Sequence, residues 1–247
     1  MRELSLLGVL VFAVASAVVG FRLLRLATRT REVPEFAMGL AFATSGAFGA
    51  PLLVASSVAS QSEAWNAAHW LAAFGSLFAY TGYLGLAVGA WRIYRPTDRW
   101  PLAGIGILAA LLVGACAWRF AVSESGPDGA GATGRLVGVA AGTVVFGWTA
   151  LESFSLYAQL SRRLQIGLAD REVATRVLLW GLGSLAAGTM TLYGLINRLL
   201  GGPESGTTQR LVVAGCGLLA AISIWLAFFP PAAFRRRFSN DAEAVTA

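Results

Sequence analysis

Seven long apolar runs, separated by short polar connections, dominate the chain. Each run holds about 20 residues, which is the length an α-helix needs to cross a hydrocarbon core of about 30 Å. The sequence therefore predicts an all-α polytopic membrane protein, with a seven-transmembrane-helix bundle over 1–234 and a short cytoplasmic tail over 235–247. The predicted helices are 4–22, 34–57, 69–91, 100–120, 136–161, 173–197 and 209–230.

The arginine distribution predicts the orientation. The connections alternate between two sides of the bundle, and 14 arginines fall on one side against five on the other. Positive residues mark the cytoplasmic ends of short loops. We therefore predict that the N-terminus lies outside and the C-terminus in the cytoplasm.

Reporter fusions test this orientation. We expect fusions in the 92–99 loop and at the C-terminus to report the cytoplasm, and fusions near Glu63 and Gly126 to report the outside. A cysteine placed at Gly126 that reacts only from the cytoplasmic side would reverse the topology.

Composition narrows the class of protein further. Only 13% of the residues are charged, whereas soluble domains have about a quarter. The net charge of +6 sits in short arginine clusters between apolar runs, which argues against nucleic-acid binding. All 19 basic residues are arginine, as in a GC-rich genome. We expect a multi-pass protein of the cell membrane, most simply a bacterial inner membrane.

The first apolar run has a second interpretation. Ala15-Ser16-Ala17 resembles a signal-peptide cleavage site. However, the preceding Met-Arg-Glu has no net side-chain charge, and cleavage would leave the 22–31 arginines outside. A retained helix is the favoured interpretation.

Two sequence patterns concern packing. Arg31-Glu32-Val33 recurs as Arg171-Glu172-Val173, which suggests a 3+1+3 parallel repeat with the fourth helix as connector; chance similarity is the alternative. Gly134, Gly138 and Gly142 recur every four residues. This spacing favours close helix packing, either inside the bundle or between copies of a homo-oligomer.

Pro51 should kink the second helix.

Glu152 is the most informative single residue. It precedes Arg162 by ten positions, which places it about 15 Å from the inner end of the fifth helix, near the bilayer midplane. An ionisable group at that depth is a functional-site hypothesis by default. The alternative is a structural carboxyl that bonds a neighbouring helix or pairs with Arg176.

Other polar and aromatic side chains fall at similar depth and could line one ligand cavity with Glu152. The alternatives are a hydrogen bond from each hydroxyl to its own helix and plain packing of each aromatic ring. The candidates are Tyr80, Thr81, Tyr83, Trp148, Thr149, Trp180, Thr189 and Trp225, with Ser45 and Ser184 at comparable positions.

Few residues could support catalysis or bind a metal. His69 is the only histidine, too few for the usual zinc site. Cys116 and Cys216 lie in apolar runs, so no disulfide framework is expected. We predict no catalytic residues, no metal and no cofactor.

The overall topology resembles that of transporters, microbial rhodopsins and receptor-like proteins. The stretch from Trp148 to Trp180, with Arg162-Arg163 and Gly167-Leu168-Ala169-Asp170, is similar to a pattern in uncharacterised bacterial seven-helix membrane proteins. That resemblance implies no activity. Without a lysine, covalent retinal binding is excluded.

The leading functional hypothesis is a small-ligand sensor or receptor-like protein. Its ligand would lie among the third, fifth, sixth and seventh helices, and its output would pass through Arg-rich cytoplasmic loops to a partner protein, because the tail is too short for an effector domain. The alternative is a small-solute transporter with Glu152 as its proton or cation site. An intramembrane enzyme is weakest, since paired carboxylates, histidine and cysteine are missing at a shared depth.

Overall fold

The computed structural model describes residues 2–62, 64–122, 131–201 and 207–230. Within these ranges, seven helices are long and apolar enough to cross a membrane. They are α1 (Arg2–Thr30), α2 (Val33–Gln61), α3 (Trp65–Tyr94), α4 (Trp100–Ala121), α5 (Gly131–Leu164), α6 (Arg171–Leu199) and α7 (Thr207–Phe228). The 235–237 arginines, the 235–247 tail and the loop around Gly126 lie outside the described residues.

The predicted all-α architecture with seven spans is confirmed, but the helices at the Arg-rich end run on beyond the apolar segments. α1 continues to Thr30 and α5 to Leu164, while α6 already begins at Arg171. Apolar patterning marks only the part of a helix that meets lipid, whereas arginine, leucine and glutamine are good helix formers in water as well. The orientation and the internal repeat stay predictions.

Six helices form a closed ring. Going round it, α1 contacts α2, α2 contacts α3, α3 contacts α5, α5 contacts α6, α6 contacts α7, and α7 returns to α1. Within the described ranges, α4 packs against α3 and α5 alone. The fourth helix therefore stands outside the ring.

A glycine faces a serine at several interfaces of this ring. A Cβ added at Gly46 would lie 2.3 Å from the Cβ of Ser16, and one at Gly82 would lie 2.4 Å from the Cβ of Ser45. Such contacts bring helix backbones close together. The pairs are Ser16 with Gly46 between α1 and α2, Ser45 with Gly82 between α2 and α3, Ser153 with Gly181 between α5 and α6, and Ser223 with Gly183 between α6 and α7.

The glycines on α5 that were predicted to serve close packing do so inside the chain. A Cβ at Gly138 would lie 2.5 Å from the ring of Tyr80, and one at Gly142 would lie 3.2 Å from Tyr83. Large tyrosine rings on α3 thus fill the space that the glycines leave. The structure supports packing within the bundle at these positions.

The helix is distorted directly before Pro51, where the sequence predicts a kink. Residues Phe42–Gly49 are π-helical, and the N–H of Ala50 donates to the carbonyl of Ser45, five residues earlier. Proline has no N–H, and its ring crowds the carbonyl four residues before it. A widened turn relieves that crowding, and π-helical turns are found frequently at functional sites.

Candidate functional site

A small cavity of about 40 Å³ lies inside the ring. That volume is room for a few water molecules. Every ring helix contributes to its wall, and α4 does not. The wall includes Phe12 from α1, Ser45 from α2, Tyr83 from α3, Phe146 from α5, Trp180 from α6 and Ile224 from α7.

The cavity wall is mostly apolar and carries no charged side chain. Its polar side chains are Ser45, Tyr83, Trp180 and Ser184. Ser45 donates its hydroxyl to the carbonyl of Ala41 at 2.7 Å. The indole Nε1 of Trp180 is buried without a hydrogen-bond acceptor, and leaving such a donor unmet costs about 1–3 kcal/mol.

Three aromatic rings pack together beside the cavity, at the Arg-rich helix ends. Phe42 and Trp180 meet edge to face, with ring centroids 5.6 Å apart. Phe228, the last residue of α7, packs against Trp180 at 5.7 Å and against Phe42 at 6.3 Å. Each ring comes from a different helix, so this aromatic contact joins α2, α6 and α7.

Of the predicted ligand-site residues, Tyr83 and Trp180 line the cavity. Three threonines do not. Their hydroxyls bond the carbonyl four residues earlier in their own helix, as the alternative interpretation predicted: Thr81 to Leu77, Thr149 to Val145 and Thr189 to Leu185.

Tyr80 and Trp225 also lie away from the cavity wall. The hydroxyl of Tyr80 donates to the carbonyl of Gly134 at 2.9 Å and so fastens α3 to α5. Trp225 is 42% exposed and stacks on Phe229, with ring centroids 4.6 Å apart. Both residues have packing roles in the structure.

The predicted environment of Glu152 needs correction. Its Oε1 accepts hydrogen bonds from Arg95 Nε at 2.8 Å and from Trp148 Nε1 at 3.2 Å. Arg95 directly follows α3, and the Trp148 ring lies 6.2 Å from Trp100, the first residue of α4. Glu152 therefore lies level with the end of α3 and the start of α4, which disagrees with the predicted mid-depth position.

Of the two structural alternatives for Glu152, pairing with Arg176 is not found, because Arg176 pairs with Glu172, one helical turn before it in α6. The contact with Arg95 at the end of α3 agrees with the other alternative, a carboxyl that bonds a neighbouring helix. Counting from Arg162 placed Glu152 too deep, because α5 continues as a helix to Leu164, past the level at which α3 ends. Arginines at the far end of such an extension do not mark the membrane boundary.

Glu152 belongs to a polar cluster that fastens the α3–α4 connection to α5. The Tyr94 hydroxyl lies 2.8 Å from Ser153 Oγ, and Arg95 also lies 3.4 Å from Asp98. The hydrogen bond and the negative charge of Glu152 raise the pKa of Arg95 above its ordinary value. Arg95 is thus a fixed positive charge, and the cluster can hold two helices in register.

Sequence reasoning missed Arg95, Phe42 and Phe228. Arg95 was counted only as a loop arginine. The spacing of Trp148 and Glu152, four residues apart on one helix face, was a usable signal that both face the same partner. The two phenylalanines carried no signal, because aromatic residues are ordinary throughout apolar runs.

Neither a metal centre nor a family assignment emerges at this stage. Among the described residues, no group of three or more His, Cys, Asp or Glu side chains could hold a metal ion. Comparison with models of known protein families and with curated proteins gives no match.

Proposed function

We propose that the protein is a membrane-embedded, receptor-like sensor whose small ligand binds in the cavity inside the six-helix ring. The observation that carries the proposal is the wall itself, to which all six ring helices contribute. A molecule bound there contacts every ring helix at once. Its binding free energy can therefore favour one arrangement of the helices over another.

The chemistry of the wall defines the ligand. A charged ligand would lose its hydration and find no opposite charge, at a large cost. A neutral, mainly apolar molecule fits the wall, and a hydrogen-bond acceptor on it could satisfy the donor of Trp180. At about 40 Å³, the cavity takes only a few heavy atoms unless the ring expands, and such an expansion would itself be a signal.

Transport of a small solute is supported less well. A transporter needs a path to both faces of the membrane, and the packed rings of Phe42, Trp180 and Phe228 would have to separate to open such a path on the Arg-rich side. Glu152, the carboxylate suggested for proton or cation coupling, lies outside the cavity wall and is paired with Arg95. An intramembrane enzyme has no support in the described residues.

Filling the cavity tests the sensor proposal. Ala187 lines it, so Ala187→Val should displace the ligand while leaving the fold intact. Compared with ligand-free wild type, filling a void of about 40 Å³ should also raise the free energy of unfolding by up to about 1 kcal/mol. We expect mass spectrometry of molecules extracted from the purified protein to find a ligand near one per chain in the wild type and none in the variant.

Ala110→Val is the matched control, because Ala110 is exposed on α4 and should leave the ligand content unchanged. Retention of the same molecule by Ala187→Val, or a wild-type protein without any such molecule, would contradict the proposal.

A further inference from the structure

The connection between α5 and α6 is a tightly built turn. The N–H of Leu168 donates to the carbonyl of Arg163 at 2.9 Å, and Gly167 has a φ of +70°, which glycine adopts readily. On the other side, Asp170 accepts the N–H of Glu172 at 2.7 Å and caps α6. Residues 162–171, called the hairpin tip below, are therefore held in one conformation.

The hairpin tip stands well beyond the lipid. The exposed face of α5 carries Val144 and Leu151, which are 66% and 72% exposed, but its next exposed positions include Ser155 and Gln159. This change from apolar to polar places the membrane boundary near Leu151. The helix then continues to Leu164, about 20 Å farther along its axis.

That distance exceeds the polar layer of the membrane. The headgroup region adds only about 5–7 Å on each side of the hydrocarbon core. Even a helix tilted by about 40° would carry the tip past it. The side chains at the tip therefore meet water and soluble molecules.

The hairpin tip nevertheless presents two large apolar side chains. Ile166 and Leu168 are 68% and 72% exposed and lie on either side of Gly167. The exposed charged residues of the tip are Arg162, Arg163 and Arg171, with Asp170 as the one acid among residues 162–171, which leaves a net charge of 3 − 1 = +2. Single exposed leucines are ordinary on protein surfaces, but an apolar pair within a net positive, Arg-rich turn has the composition of a protein-binding surface.

We propose that the hairpin tip is the docking site for a soluble protein that has an apolar pocket for Leu168 and Ile166 and an acidic rim around it. The positive charge of the tip complements that rim and would speed association. An anionic lipid surface offers similar charge, but the length of α5 beyond Leu151 keeps the tip away from it. The assignment rests on the proposed function in one respect, since a sensor of this kind needs a partner.

The same two helices also reach the ligand cavity. Phe146 on α5 and Trp180 on α6 both line it, and Trp180 lies nine residues along α6 from Arg171. A ligand that shifts these helices would move the hairpin tip directly. A change in the cavity could therefore alter the position of the docking site and so its binding to the partner.

A fluorescence experiment tests whether the hairpin tip contacts the membrane or is free to bind a soluble protein. The full chain, with Cys116 and Cys216 replaced by alanine, is placed in lipid nanodiscs and labelled with bimane at Leu168→Cys or at Leu151→Cys. We expect doxyl-labelled lipids to quench the label at position 151 and to leave the label at 168 unquenched. Equal quenching at both positions would put the tip in the membrane and overturn the proposal.

A second experiment identifies the partner. A photo-crosslinking amino acid at Leu168, in the cells that make the protein, should yield one soluble protein adduct. The purified partner should bind the full chain in nanodiscs, and Leu168→Ser or the pair Arg162→Glu and Arg163→Glu should weaken binding about tenfold or more. Leu200→Ser is the matched control, because Leu200 is 81% exposed at the other end of α6 and should change nothing.

The docking proposal is overturned if no protein adduct forms, or if the tip variants bind the partner as tightly as the wild type does. Its failure is distinguishable from failure of the sensor proposal, because Ala187→Val alters the cavity and leaves the tip unchanged. A partner that binds through the tip while the cavity proves empty would sustain the docking site and remove the sensor.

Discussion

Replacing Gly46 by alanine should lower the free energy of unfolding by about 1–3 kcal/mol, as expected for overpacking a filled interface. The new Cβ would lie 2.3 Å from both the Cβ and the Oγ of Ser16, far inside van der Waals contact. Ser16 is fully buried, and rotating its side chain cannot relieve the clash at Cβ. The helices α1 and α2 would have to separate, and denaturation of the purified protein in detergent would measure the loss.

Two variants make this test specific. A Cβ added at Gly114 would meet no neighbouring atom within 4 Å, so Gly114→Ala should be neutral or stabilising, by up to about 1 kcal/mol, through helix propensity. Exchanging the pair, with Ser16→Gly and Gly46→Ala together, should recover most of the lost stability. If the exchange recovers nothing, the contact between these residues is not the cause.

Removing the carboxylate of Glu152 should have the other large effect. Glu152→Leu should cost about 1–3 kcal/mol, because Trp148 then keeps a partly buried donor without an acceptor. The side chain of Glu152 is only 13% exposed, whereas that of Arg95 is 42% exposed. Water can therefore replace the partner of Arg95, and the ion pair itself should contribute little to stability.

Comparing Glu152→Gln with Glu152→Leu separates the loss of the hydrogen bond from Trp148 from the loss of the ion pair with Arg95. Glutamine keeps an acceptor for Trp148 and should lose much less stability than leucine in thermal denaturation. A double-mutant cycle should show coupling of Glu152 to Arg95 and none to Arg176, which pairs with Glu172. Coupling to Arg176 that exceeds coupling to Arg95 would contradict the structure and restore the mid-depth interpretation.

The number and order of the helices could be predicted from the sequence, because the length of an apolar run is a local property. Depth along a helix could not be predicted as safely. The position of Arg162 predicts a boundary of α5 at the membrane surface, but helix formation continues past lipid wherever the residues favour it. Glu152 was therefore assigned to the bilayer centre, although it contacts Arg95 at the end of α3.

It was harder still to predict from the sequence which side chains face the cavity. In a helix of a soluble protein, an apolar face opposite a polar face marks the buried side, but a membrane helix is apolar on both its lipid side and its inner side. Thr81 and Tyr83 lie at similar depth on α3, yet only Tyr83 reaches the cavity. The packing of Phe42 and Phe228 around Trp180 depends on how distant segments of the chain meet, which no local sequence pattern predicts.

The contact between α1 and α7 has a consequence for how the protein is made. Helices enter a membrane one after another and associate there, and α7 is the last of the described helices to be synthesised. Until it arrives, the contacts of α7 with α6 and α1 are missing, and the ring is open between those two helices. A chain interrupted before α7 therefore has nearly all of the described helices, but it lacks Ala220 and Ile224 from the wall of the proposed ligand cavity.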